Sequence, residues 1–211
     1  MFFDDLYKRF KADVISNYIE VFEIFAEFHR LEDEIRKNLK AIGFEIQGGT
    51  FMRLYHGSNV DVVEPKILVS RRYLDFGYGF YTIPSEKQAE RWAKSQCKRS
   101  HKGKATVTVY DFNEKSLDHI KVLRFEGPTE AWLDYVTENR KGIYKGDTYD
   151  LIIGPVANDN TMRVISDYIE ESIDKETALI LLKPQKLEDQ YVFSTTRGLK
   201  FLKTVEVDFY D

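Results

Sequence analysis

The chain has 211 residues, of which 43% are hydrophobic and 31% charged, and its formal net charge is −4. This length accommodates one domain of ordinary size plus an extension, and the charge balance carries no overall signal for nucleic-acid binding. The single cysteine, Cys97, excludes an internal disulfide and a cysteine-cluster metal site, and the four scattered histidines lack paired ligands. No apolar run approaches the roughly 20 residues of a membrane span, and no signal-peptide layout opens the chain, so we expect a cytoplasmic protein without a metal.

The first part of the chain has the pattern of a helix. Apolar residues recur at steps of three or four from residue 2 to about residue 44, and no Gly or Pro interrupts them before Gly43. A single helix of that length would reach about 60 Å, so a bend or a helical pair is an alternative. The Gly48-Gly49 pair marks a linker. We therefore expect a helical N-terminal extension over residues 1–47 and a second domain over residues 51–211.

The second domain mixes strand and helix patterns without a regular alternation. Its clearest strand is the β-branched, alternating run within residues 105–112. Ser85 followed by Gln88 is a capping-box pattern, and Asp174 is a second predicted helix cap. The fold class expected from this order is α+β with a mainly antiparallel sheet. The predicted strands cover residues 51–55, 79–83, 105–112, 119–125, 150–154 and 190–193, and the predicted helices cover 85–99, 129–141, 160–171, 174–182 and 195–203.

Two short segments carry the chemistry of the chain. The first, His56-Gly57-Ser58, presents a ring nitrogen and a hydroxyl at the end of a strand, beside a glycine that permits close approach of a ligand. The second runs from Gly77 to Tyr81, where two glycines allow a tight loop and Tyr81 offers a face for stacking. A core or turn histidine, and a hairpin with core aromatics, are the structural alternatives.

Together the two segments resemble the NAD pocket of the ADP-ribosyltransferases, in the His-Tyr-Glu branch that includes the poly(ADP-ribose) polymerases. The polymerases' pattern of glycine, any residue, glycine, apolar residue and tyrosine is matched by Gly77 to Tyr81. The resemblance implies a split antiparallel β-sheet core with flanking helices, and NAD as the substrate. It also implies that His56 holds the adenosine ribose, that the backbone of Gly57 holds the nicotinamide carboxamide, and that Tyr81 stacks on nicotinamide. The implied NAD-binding set is His56, Gly57, Ser58, Gly79, Tyr81, Gln88 and Trp92.

The chain departs from that family at three positions. Gln88 stands where the family usually has a serine, and Trp92 where it has a second stacking tyrosine. The largest departure is Gln190, which takes the place of the catalytic glutamate on a late strand. A glutamine keeps a hydrogen bond but lacks the charge that stabilises an oxocarbenium-like transition state. Glu188 and Asp189 are alternatives, and Glu188 is the better one because it shares a strand face with Gln190.

The chain also resembles, over about residues 52–203, a bacterial family of uncharacterised function with the same pocket pattern. The resembling residues include Asp75-Phe76-Gly77, the stretch from Trp132 to Arg140, and residues 150–159, in which Asn158 and Asp159 either face the ligand or start a helix.

These resemblances imply a mono-ADP-ribosyltransferase with catalytic residues His56, Tyr81 and Gln190, acting on a protein or nucleic-acid acceptor and resembling bacterial toxins or defence effectors. One alternative is a non-catalytic module that binds NAD or ADP-ribose. Another is an interaction protein that forms a homo-oligomer, or binds an antitoxin-like partner, through residues 1–45. A basic cluster from Lys94 to Lys104 is either a solvated helix end or a phosphate-binding patch.

Overall fold

The computed structural model describes residues 51–67, 74–157, 159–185 and 187–211. The extension predicted over residues 1–47 lies outside these ranges. The strands are β1 (Phe51–Ser58), β2 (Phe80–Thr82), β3 (Ala105–Asn113), β4 (Val122–Arg124), β5 (Leu151–Pro155), β6 (Asp189–Phe193) and β7 (Leu202–Tyr210). The helices are α1 (Glu86–Ser100), a 3₁₀ helix (Glu114–His119), α2 (Glu130–Lys141), α3 (Asp159–Ile169), α4 (Lys175–Leu182) and α5 (Thr196–Leu199).

The strands form two sheets. The first has the order β1-β3-β7 and the second the order β2-β6-β5-β4. All pairs are antiparallel except β4 with β5. The sheets are joined where Tyr55 in β1 bridges Ile83, through two backbone hydrogen bonds of 2.8 and 3.0 Å. The prediction of an α+β fold with mainly antiparallel pairing is confirmed.

Each of the six strands predicted from the sequence is present, but the end of the chain was interpreted wrongly. The predicted helix over residues 195–203 is only the four-residue α5, and Leu202–Tyr210 is a strand paired with β3. Thr195 caps α5 by accepting from the backbone N–H of Gly198. That cap is a true helix start, but the predicted helix continued to residue 203. The alternation of Val205, Val207 and Phe209 with polar residues after it is a strand signal for which no element was predicted.

The predicted caps have different outcomes. Asp174 caps α4, because its side chain accepts from the backbone N–H of Thr177 at 2.8 Å. Ser85 is the N-cap residue of α1, but its side chain makes no capping hydrogen bond, so the predicted capping box with Gln88 does not form. The Gln88 Oε1 atom is instead buried without a hydrogen-bond partner.

The core is divided by the second sheet. On one face, α2, α3 and α4 cover a cluster that includes Phe76, Trp132 and Val192. The other face contributes Tyr191 and Phe193 to a cluster shared with the first sheet. Successive residues of β6 therefore point into different clusters, as strand alternation requires.

Asp150 joins the turn before β5 to the loop after β6. Its buried carboxylate accepts from the Arg197 guanidinium, the Thr195 hydroxyl and the backbone N–H of Lys121. Chiefly through Arg197, these bonds lower the pKa of Asp150 to about 2. The carboxylate is therefore ionised and fully bonded at neutral pH.

Among the described residues, no helix has the length and apolarity that a membrane crossing requires.

Candidate functional site

The two segments singled out in the sequence meet in the structure. The Nδ1 atom of His56, in β1, lies 2.7 Å from the backbone carbonyl oxygen of Tyr81, in β2. A carbonyl oxygen only accepts, so Nδ1 carries the proton and donates it. In the neutral ring the other nitrogen, Nε2, is then an acceptor. This bond fixes the tautomer that can receive a hydrogen bond from a ligand hydroxyl.

The surroundings of His56 favour this neutral form. Its ring lies 4.5 Å from the ring of Phe80, centroid to centroid, at the rim of the core cluster between the sheets. Burial lowers the pKa of the imidazole below its ordinary value of 6.5, and the hydrogen bond to Tyr81 opposes this effect only in part. His56 is therefore an uncharged hydrogen-bonding group at neutral pH.

The hydroxyl of Tyr81 closes the loop that precedes it. It donates to the carbonyl oxygen of Gly77 at 2.8 Å and accepts from the backbone N–H of Phe76 at 3.1 Å. Burial, with the nearby charge of Asp75, raises the pKa of this phenol, so it remains protonated. The hydroxyl is engaged within the protein, and the partly buried ring packs against the core cluster that includes Phe76 and Val192.

Helix α2 holds the same loop from its other side. Asp75 forms an ion pair with Arg140, with 2.5 Å between Nη2 and the carboxylate oxygen. Gly77 has a φ of +74°, and a Cβ at this position would lie 2.6 Å from the Asn139 amide oxygen. Glycine at position 77 therefore follows from both backbone conformation and space. The contacts bring together two of the stretches on which the sequence resemblance rested.

Strand β6 brings Gln190 to the side of the sheet that bears Tyr81. Tyr81 pairs with Val192, and Gln190 lies two residues along β6, on the same face. Gln190 is 5% exposed, and its Nε2 atom donates to the carbonyl oxygen of Pro155 at 3.4 Å. The indole N–H of Trp132 donates to the same oxygen at 3.3 Å. Because the amide nitrogen is held in this way, the amide oxygen is the atom of this side chain that could accept a further hydrogen bond.

The two carboxylates weighed as alternatives to Gln190 differ in position. Asp189 lies on the opposite face of β6 from Gln190, and burial raises the pKa of its carboxyl group, opposed by the charge of Arg124. Glu188 precedes the strand and is exposed. Of these two residues, only Glu188 is separated from Gln190 by two positions, as side chains on the same face of a strand are.

Two glycines of the predicted set pack against neighbouring elements. A Cβ at Gly57 would lie 2.1 Å from the backbone oxygen of Ala89, because α1 crosses β1 at this point. A Cβ at Gly79 would lie 2.5 Å from Val192. Lack of space for a side chain therefore accounts for glycine at both positions without a ligand. The sequence pattern alone did not reveal this close packing.

The remaining predicted residues lie on or near α1. Gln88 offers its buried, unpartnered Oε1 atom. Trp92 is 50% exposed beneath the Arg99 guanidinium, which lies 4.9 Å from the ring centroid. Ser58 ends β1 and is half-buried. Asn158 lies outside the described residues, whereas Asp159 begins α3, as the helix-start alternative expected.

A cavity of about 310 Å³ lies elsewhere on the first sheet. Its lining residues are Arg53, Tyr55, Glu86, Val109, Glu206, Asp208, Phe209 and Tyr210. Because Tyr55 and His56 are consecutive in β1, this cavity faces away from His56. In the described parts of the chain, no group of three or more His, Cys, Asp and Glu residues has the arrangement of a metal site.

A comparison with protein families gives a match over residues 52–204 to a model described as a protein of unknown function (DUF3990). The chain belongs to that family. The match has almost the extent predicted for a family of uncharacterised function, about residues 52–203. The family's description names no activity. No curated protein and no solved structure matches the chain.

Proposed function

We propose that the chain is a mono-ADP-ribosyltransferase that cleaves NAD and transfers ADP-ribose to a macromolecular acceptor. The observation that carries the proposal is the hydrogen bond between His56 and the backbone of Tyr81. It joins the two segments that resemble the NAD pocket and leaves a neutral imidazole with one free acceptor.

In the proposed reaction, the bond between nicotinamide and its ribose breaks, and the bonding pair leaves with the nicotinamide nitrogen. An acceptor oxygen or nitrogen forms the new bond to the same ribose carbon and releases its proton to solvent. His56 holds the adenosine ribose through Nε2, and the ring of Tyr81 stacks on nicotinamide. Gln190 orients the nicotinamide ribose through its amide oxygen.

The buried, unpartnered Oε1 atom of Gln88 supports a ligand at this end of α1. An unsatisfied buried acceptor costs about 1–3 kcal/mol unless another group donates to it. The amide N–H of nicotinamide is a donor of the right kind. Gln88 therefore takes the role that a serine has in the resembling enzymes.

A non-catalytic NAD or ADP-ribose binder is the second candidate. The position of Gln190 favours it, because the residue has no charge and its amide nitrogen is already bonded to Pro155. Loss of one electrostatic stabiliser costs other enzymes about 3–4 kcal/mol of transition-state stabilisation. An interaction protein built on residues 1–45 would depend on a part of the chain outside the described residues.

The test is nicotinamide release from NAD by the purified full chain, with label transfer measured in a lysate. We expect release by the wild type, loss of release in His56→Ala, and retention in His119→Ala, which changes an exposed histidine of the 3₁₀ helix. Binding of NAD without release or transfer would favour the binding module. Full release by His56→Ala would contradict the proposed site.

A further inference from the structure

The outer face of α1 carries a stripe of positive charge. Lys87, Arg91, Lys94 and Lys98 are spaced four, three and four residues apart, so they lie along one side of the helix. From the first to the last, the helix rises about 16 Å. The opposite side of α1 packs on β1 through the buried Ala89 and Ala93.

Most of this charge has no ion-pair partner among the residues that the structure describes. Glu90 pairs with Lys94 at 3.0 Å, and Glu86 accepts from the Tyr210 hydroxyl at 2.8 Å. Within the described ranges, Lys87, Arg91 and Lys98 have no carboxylate within 4 Å. Three unpaired cations on one helix face contrast with the chain's net charge of −4.

An exposed aromatic residue lies on the flank of α1 between the stripe and the side packed on β1, because Trp92 is turned about 100° around the helix from Arg91. Trp92 is 50% exposed, and the Arg99 guanidinium lies 4.9 Å from its ring centroid. Indole rings and guanidinium planes are both surfaces on which unpaired bases stack. The exposed basic residues continue past the helix through His101, Lys102 and Lys104.

We propose that the outer face of α1 binds single-stranded nucleic acid. Lys87, Arg91 and Lys98 contact phosphates, and a base stacks against Trp92 and Arg99. An anionic membrane fits the face less well, because a membrane-surface helix inserts its apolar side and the apolar side of α1 is buried against β1. The proposal does not depend on NAD chemistry at His56.

The test uses the full chain with fluorescein-labelled 20-nucleotide oligo(dT) and oligo(U), measured by anisotropy over a salt series. For single strands, each phosphate contact contributes about −0.7 to the slope of log K against log salt. The triple variant Lys87→Gln, Arg91→Gln, Lys98→Gln should reduce the slope by about 2 and weaken binding roughly 50-fold at 0.15 M salt. A matched variant, in which the exposed Lys145, Lys183 and Lys203 become Gln, loses the same charge elsewhere and should keep the wild-type slope.

Tryptophan fluorescence supplies a readout that charge alone does not move. The chain has two tryptophans, and Trp132 is fully buried, so quenching by the oligonucleotide reports on Trp92. Trp92→Ala should weaken binding roughly 5- to 150-fold, and Trp92→Phe should restore part of it.

Three results would overturn the proposal. They are no binding of either oligonucleotide at 0.05 M salt, an equal loss of affinity in the two triple variants, and binding without quenching of the tryptophan fluorescence. The last result would indicate attraction to any polyanion. Binding to vesicles of anionic lipid with no binding to the oligonucleotides would assign the face to a membrane instead.

Discussion

Replacing Gln190 by glutamate tests how the site is built. The change introduces the residue that the resembling enzymes have at this position, in a side chain that is 5% exposed. The amide nitrogen now donates to the Pro155 carbonyl oxygen, and a carboxylate oxygen there would meet another acceptor. The carboxyl group is therefore stable in the fold only when it is protonated and donates its own O–H.

The size of the effect follows from that requirement. Burial without a partner charge raises a carboxyl pKa by up to 3–5 units, and we take about 2 units for a group at the edge of a cluster. At 1.36 kcal/mol per unit, Gln190→Glu should lower the free energy of unfolding by about 3 kcal/mol at pH 7.5. The pKa is raised on folding, so the penalty is absent below about pH 4.3, grows between about pH 4.3 and pH 6.3, and keeps its full size at higher pH.

Urea unfolding of Gln190→Glu at pH 4.5 and pH 7.5, each relative to wild type, measures this difference. Gln190→Leu is the control, because it adds no charge and Trp132 still donates to Pro155, so it should cost about 1 kcal/mol at both pH values. Equal stability of Gln190→Glu and wild type at both pH values would refute the reasoning.

Three further changes test the frame of the site. Gly57→Ala should lower the free energy of unfolding by about 1–3 kcal/mol, because its Cβ would lie 2.1 Å from the Ala89 oxygen; Gly127→Ala, with no atom within 4 Å, should change it little in the same urea titration. Tyr81→Phe removes the two hydrogen bonds of the hydroxyl but keeps the ring, so it should lower the free energy of unfolding by about 1–2 kcal/mol. NAD affinity, measured by calorimetry, should stay near that of the wild type. A large loss of affinity would contradict the stacking role. Asp150→Asn should lower the free energy of unfolding by about 2 kcal/mol at pH 7. The folded carboxyl group has a pKa of about 2, so the wild type should lose this advantage in an acid unfolding series as pH falls from about 4 to about 2. A difference between variant and wild type that is unchanged at pH 2 would contradict the stabilising role of the carboxylate.

The sequence was a good guide to elements that have a local pattern. Strand β3 alternates β-branched and aromatic residues, and Asp174 has the polar oxygen that a helix start requires, so both were predicted correctly. The strand β7 was missed because the helix predicted from Thr195 was continued to residue 203, and no element was predicted for the alternating residues that follow. In each case the deciding information lay within about ten residues of chain.

The site depends on contacts that no local pattern contains. Gly77 and Asn139 are 62 positions apart, and nothing near either residue predicts that one fills the space beside the other. The same holds for Gly57, whose sequence context suggested ligand approach and whose structure shows a helix crossing. The family resemblance therefore predicted which segments meet, whereas packing between elements determined what each glycine does.

In the proposed reaction, the frame around His56 would serve ligand binding, and turnover would depend on a different element. The backbone bonds between Tyr55 and Ile83 and the side-chain bond from His56 to Tyr81 fix β1 against β2. A ligand that uses this frame binds without ordering it first, which reduces the entropic cost of association. Stabilisation of positive charge at the ribose, by contrast, depends on β6, where Gln190 is neutral. A change at His56 should therefore weaken both binding and turnover, while a change at Gln190 should alter turnover with little effect on NAD affinity.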